Sequence, residues 1–158
     1  MKVLQPIEHT DMVLHDKLTN VIVTTDKKKL DIDMIHAFLS KRSYWAKEIP
    51  LKLVKKSIKH SICFGVYIGG KQVGFARVIS DRATFAYIAD VFVLEDYRGQ
   101  GLSSILMNAI MNFPKFQSLR RWMLVTADAH FLYEKAGFRI VAKPEKFMEK
   151  HAPNMYTT

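Results

Sequence analysis

Residues 90–104 read DVFVLEDYRGQGLSS, and the interpretation of the chain turns on them. Val91, Phe92 and Val93 form an apolar strand that ends at Leu94 and gives way to a short acidic turn. Arg98, Gly99 and Gly101 then bring positive charge and permissive backbone just before an amphipathic run begins at Leu102. Amide hydrogens exposed at a helix N-terminus, aided by the helix dipole, hold phosphate well. Strand, glycine loop and helix start, in that order, predict an anion cradle.

Downstream of the loop, Leu102, Ile105, Leu106, Ala109, Ile110 and Phe113 recur at helical spacing, and Pro114 closes the helix. Upstream, residues 61–68 and 72–80 are strand-like runs joined by Gly69, Gly70 and Lys71. A second turn at Ser80, Asp81 and Arg82 leads into residues 84–94, so the spacing predicts a three-stranded antiparallel meander. Earlier still, the β-branched run 21–25 predicts a first strand, and Asp31 caps a helix that carries Ile32, Ile35, Phe38 and Leu39 and stops near Ser40. Pro50 opens a second helix with Leu51, Val54 and Ile58 on its apolar side and lysines on the other.

Towards the C-terminus, residues 121–126 (RWMLVT) predict a buried strand. Asp128 caps a short helix bearing Ala129, Leu132, Tyr133 and Ala136, Gly137 ends it as a left-handed cap, and residues 138–142 predict a last strand. Residues 1–19 lack sustained periodicity and read as an N-terminal arm; residues 143–158 form a tail rich in proline and charge. Without repeats or an internal linker, residues 1–158 are expected to be one domain.

Apolar residues make up 49% and charged residues 25% of the chain, close to the average for folded soluble proteins. Cys63, the single cysteine, excludes an intrachain disulfide and a cysteine-based zinc site, and its apolar run predicts a buried thiol. The histidines lack metal-ligand spacing, so no metal is implied. There is no apolar stretch of membrane-spanning length, and the start MKVLQPIEHTD lacks a signal-peptide layout, so no membrane partner and a cytoplasmic location are expected. The formal net charge of +9 fits a polyanionic partner, whether a phosphorylated cofactor, an acidic substrate or nucleic acid.

The order of elements, taken with RGQGLS and AHFLYEKAGF, resembles the GNAT superfamily of acyl-CoA-dependent N-acetyltransferases over residues 20–142. The resemblance implies an α/β fold with a mixed, mainly antiparallel central sheet and helices on both faces. It implies acetyl-CoA as cosubstrate, a small-molecule or peptide amine as acceptor, and a possible homodimer, since relatives often dimerise. In that family a loop of the form (Arg or Gln)-x-x-Gly-x-(Gly or Ala) binds the pyrophosphate. Arg98, Gly101 and Ser103 fall on its marked positions, Ser103 as a departure, with Gly99, Gln100 and Leu102 between them. The preceding strand offers main-chain groups to the pantetheine arm, a role that maps onto Val91, Phe92 and Val93.

Tyr133 falls where the family carries a tyrosine that protonates the departing thiolate; a phenol stays protonated at neutral pH and can donate. Its bland alternative is a core residue. Where the family often has Asn seven residues earlier, this chain has Thr126. The stretch DVFV-x-x-DYRG looks like that of polyamine-type acetyltransferases, where the aspartate matching Asp90 helps to place the amine. A carboxylate in an apolar strand has either a structural partner or a task, so Asp90 stands as base, substrate anchor or structural group. Tyr87 lies where some relatives carry a glutamate base. Tyr44 and Trp45, between the first two helices, either shape the acceptor pocket or seal the core edge. Three functions from different classes remain. They are amine acetylation by direct attack, a catalytically idle acyl-CoA sensor, and a nucleic-acid binder using the basic face from Lys41 to Lys59; the absence of any recognised nucleic-acid motif counts against the last. Cys63 as an acyl-carrying nucleophile is the rival within enzymology.

Overall fold

Which face each strand residue buries fixes the architecture. A computed structural model describes residues 3–6, 12–16 and 20–157, the first two segments as backbone only. Its strands are β1 (Val3–Pro6), β2 (Met12–Asp16), β3 (Val21–Thr24), β4 (Ile62–Ile68), β5 (Lys71–Ser80), β6 (Phe85–Val93) and β7 (Arg121–Met123). They form one sheet in sequence order, antiparallel throughout except for the parallel pair β6–β7. The helices are α1 (Ile32–Lys41), α2 (Leu51–Lys59), α3 (Leu102–Met111) and the single-turn α4 (His130–Glu134).

Alternating side chains split the core into two clusters, one on each face of the sheet. Val21, Val23, Phe64, Val66, Val78, Ala86 and Ile88 pack against α3 and Tyr133 of α4. Cys63, Phe75 and Phe92 face the other way, against Ile35, Phe38 and Leu39 of α1 and Val54 and Ile58 of α2. Phe92 stacks on Phe38 with ring centroids 3.9 Å apart, tying β6 directly to α1. The expected α/β class, a mainly antiparallel sheet with helices on both faces, is the one observed.

Asp31 caps α1 as predicted, its carboxylate accepting from the Met34 N–H. The meander and α3 also stand where the pattern put them, each within a residue or so of its expected bounds. Three expectations need correction. Part of the supposed arm is sheet: β1 pairs with β2 and β2 with β3, extending the sheet by two strands, while residues 1–2, 7–11 and 17–19 lie outside the described residues. The strand expected over residues 121–126 stops at Met123 and is only partly buried, with Val125 79% exposed. Residues 138–142 form no strand. Phe138 turns inward against Trp122 and Tyr133, and an apolar groove of about 290 Å³ separates the segment from Trp122–Val125, the edge it would have paired with.

Candidate active site

The site begins with one extra residue in β6. Phe75 pairs with Phe92 and Arg77 with Ala89, so Asp90 and Val91 together face Ala76 across the ladder, a β-bulge. Before the bulge Ala86 and Ile88 point to the α3 face; after it Val91 and Val93 do, because the extra residue flips the alternation. Asp90 sits at the kink with φ +54°, a left-handed conformation that Asp tolerates better than most side chains.

Both carboxylate oxygens of Asp90 are engaged. Oδ2 accepts from Arg77 Nε at 2.8 Å, and Oδ1 accepts from the Trp45 indole Nε1 at 2.9 Å. The Arg77–Asp90 pair is largely buried, its side chains 16% and 10% exposed, and Arg77 also donates to Ser61 Oγ. Asp90 thus joins β5, β6 and the α1–α2 connection.

β6 and β7 part just before the kink. Their parallel pairing runs from Phe85–Arg121 to Tyr87–Met123 and ends there, whereas β6 continues to Val93 paired with β5 alone. The β7-side edge of β6 therefore opens into a cleft of about 910 Å³. Tyr44, Trp45, Tyr87, Asp90, Val91 and Tyr133 all line it, so the acceptor-side residues singled out in the sequence converge on one space.

Tyr133 projects from α4 into this cleft and is 8% exposed. Burial pushes its phenol up to about 12, helped by Tyr44 and by the charge of Asp128. Asp128 does not cap α4; Thr126 Oγ1 accepts from the Ala129 N–H instead. Across the cleft mouth, the Ala127 N–H donates to the Tyr44 hydroxyl at 3.0 Å, bridging the α1–α2 connection to the loop after β7. Tyr44 and Trp45 meet edge to face, 60% and 42% exposed, so they roof the cleft instead of sealing the core. The Tyr87 phenol is raised by partial burial and by the Asp90 charge, with Arg77 opposing and Glu149 adding to the shift.

The glycine loop lies beyond the cleft at the far end of β6. Gly99 and Gly101 both have φ +76°, and a Cβ on either would meet nothing within 4 Å. Gly101 caps α3, Leu102 anchors the first turn in the core, and the loop leaves the first-turn amides of Leu102 and Ser103 without intrahelical partners. Arg98 Nε donates to the Val93 carbonyl at 3.1 Å, which fixes the exposed guanidinium beside the loop, and Gln100 is exposed. Phe92 itself is core, and its carbonyl faces Gly74 across the ladder.

Sequence reasoning missed Arg77 and the tail. Glu149, His151, Pro153 and Tyr156 line the cleft together with His60. A lone arginine in the apolar run of β5, one strand away from a lone aspartate in β6, was a readable signal; the two-residue spacing of Glu149, His151 and Pro153 was a weaker one. Cys63 is buried, donates weakly to the Ile58 carbonyl and has its thiol pushed up to about 11 by burial, conditions that suppress the reactive thiolate. Among the described residues no group of His, Cys, Asp and Glu could hold a metal ion, and no helix is long and apolar enough to cross a membrane.

A candidate acetyltransferase of the GNAT family from Xanthomonas campestris pv. campestris superposes with a TM-score of 0.85 at 53% identity, over 87% of this chain and 97% of that one. A candidate acetyltransferase from Gibberella zeae is 34% identical over 137 residues, 72% of this chain and 76% of its own length. A more distant fold neighbour from Clostridium acetobutylicum, a candidate acetyltransferase solved with acetyl-CoA, is 16% identical with a TM-score of 0.59, over 84% of this chain and 95% of that one. The family model for the acetyltransferase (GNAT) family matches residues 32–138, from the start of α1 to the turn after α4, and so takes in the kinked strand, the glycine loop and Tyr133. The chain belongs to the acetyltransferase (GNAT) family, and it is an acetyltransferase.

Proposed function

We propose that the protein is an acetyl-CoA-dependent N-acetyltransferase that delivers the acetyl group to a primary amine by direct attack, without a covalent enzyme intermediate. The observation that carries this reading is the parting of β6 from β7, which leaves strand edge, aromatic roof and the Tyr133 phenol around one cleft. Acetyl-CoA supplies an acetyl group activated as a thioester. Residues suited to hold it are present: the amides of Gly99, Gln100, Gly101, Leu102 and Ser103 with the Arg98 charge for the pyrophosphate, and main-chain groups of Val91 and Val93 for the pantetheine arm, the Phe92 carbonyl being turned to β5. The solved Clostridium acetobutylicum neighbour, which carries acetyl-CoA on the same fold, supports the choice of cosubstrate.

Tyr133 then acts as the proton donor to the leaving sulfur. Its raised value keeps the proton in place throughout the neutral range. Asp90 acts as a positioning residue: with both oxygens committed, it sets the angle of Trp45 and the kink of β6. Tyr44, Trp45 and Tyr87 form the acceptor side. An amine attacks only as the free base, because an ammonium has no lone pair.

The test is thiol release from acetyl-CoA with a panel of phenethylamine, tryptamine, cadaverine, spermidine, kanamycin and lysine-containing peptides. The reading predicts amine-dependent release and an acetylated product for at least one class. Acetyl-CoA binding with no turnover on any amine would mark a catalytically idle binding domain instead.

A further inference from the structure

The tail brings to the cleft a carboxylate that the reading above leaves without a task. Phe147 lies beneath the Arg121 guanidinium, 5.4 Å from its ring centroid, and Tyr156 packs against the α1–α2 core cluster. The chain between is held at both ends, and Glu149, His151 and Pro153 line the cleft from it.

Charge in the cleft does not balance. Arg77 is taken up by Asp90, which leaves Asp128 and Glu149 facing Lys56 as the one remaining fixed cation of the lining, with the imidazoles of His60 and His151 beside it. Neither of those carboxylates makes an ion pair among the described residues. In a chain of net charge +9, the cleft is a place where negative charge is in excess. Asp128 acts on Tyr133, and Glu149 acts on Tyr87, so the two stand by different phenols. Around them, Tyr44, Trp45 and Tyr156 present aromatic surface. A carboxylate beside aromatic faces is a site for an organic cation.

We propose that Glu149 seats the acceptor as a cation: its carboxylate pairs with the ammonium of a primary amine and takes one proton from it, directly or through one water, before the freed nitrogen attacks. The inference rests on the acetyl-transfer reading. In the balanced sequence Glu149 first passes the ammonium's proton to solvent; the neutral nitrogen then attacks, the N–C bond forms as the C–S bond breaks, the nitrogen's second proton passes to Glu149, and the sulfur takes a proton from Tyr133. Glu149 then loses its proton to solvent and Tyr133 regains one.

The test compares the parent with Glu149→Gln, Glu149→Asp and Glu145→Gln, the last an exposed tail position outside the cleft, on the best amine of the panel. Glu149→Gln is expected to lose about tenfold or more in kcat/KM for the amine, the loss of one charge-assisted contact, with KM for acetyl-CoA within about twofold. Glu149→Asp recovers part of the loss, and Glu145→Gln keeps the parental rate. Equilibrium binding of the same amine in the presence of coenzyme A, where no transfer occurs, weakens in Glu149→Gln by a similar factor. Parental amine kinetics in Glu149→Gln would overturn the proposal and leave acetyl transfer intact. Equal weakening of amine and acetyl-CoA would also overturn it, reducing the tail to a structural brace. Absence of turnover on every amine by the parent would overturn both this proposal and the reading beneath it.

Discussion

Tyr133 and the Arg77–Asp90 pair carry the account at the level of single side chains. Replacing Tyr133 with Phe is expected to lower kcat for thiol release by about a hundredfold with acetyl-CoA affinity kept, as measured by steady-state kinetics and calorimetry. The pH sign follows from its raised value. A folded value of about 12 against an ordinary 10.0 means that the neutral phenol is the favoured form, so its stabilising contribution is complete below pH 10 and is lost as pH rises towards 12. The account therefore predicts no alkaline loss of rate from Tyr133 between pH 7 and about 10. Arg77→Ala leaves the Asp90 carboxylate largely buried without its charge partner. A loss of about 3 kcal/mol in unfolding free energy is expected from denaturant titration.

Among the elements, the kinked strand, the glycine loop and the roof over the cleft make separate predictions. Gly101→Glu places a side chain in a left-handed position and a negative charge at the cradle, so acetyl-CoA affinity should fall by at least about tenfold. Tyr44→Phe removes the acceptor for the Ala127 N–H, and hydrogen exchange should report faster opening at Ala127 with the sheet amides unchanged. Much of this level was legible in the sequence. Leu102, Leu106 and Ile110 repeat at a spacing only a half-buried helix uses, and Asp31 announces α1 because its carboxylate caps an otherwise unpaired amide. The bulge at Asp90 was not legible: an extra residue in a ladder shows only when the partner strand's register is known. Residues 138–142 misled because Phe138, Ile140 and Val141 are strand-like by composition. The observed partners of Phe138 are the rings of Trp122 and Tyr133, not a ladder. Tail residues such as Glu149 and His151 entered the cleft through anchors at Phe147 and Tyr156 that no local pattern encodes.

At the scale of the whole molecule, two core clusters flank one sheet, and the site opens where the sheet divides. Positive charge is concentrated outside the cleft, notably on Lys52, Lys55 and Lys59 of α2, while the cleft itself carries the excess of carboxylates. The net +9 favours approach of a polyanion, so KM for acetyl-CoA should rise several-fold as ionic strength goes from about 0.05 to 0.5 M, with a smaller change for the amine. Acetyl transfer to an amine is the claim on which the residue roles depend. It is tested most directly by incubating the purified protein with acetyl-CoA and the amine panel, following free thiol and product mass together. The account predicts thiol release that depends on an amine and matches, mole for mole, an amine heavier by one acetyl group. Thiol release at the same rate with and without every amine, with no acetylated product, would contradict it.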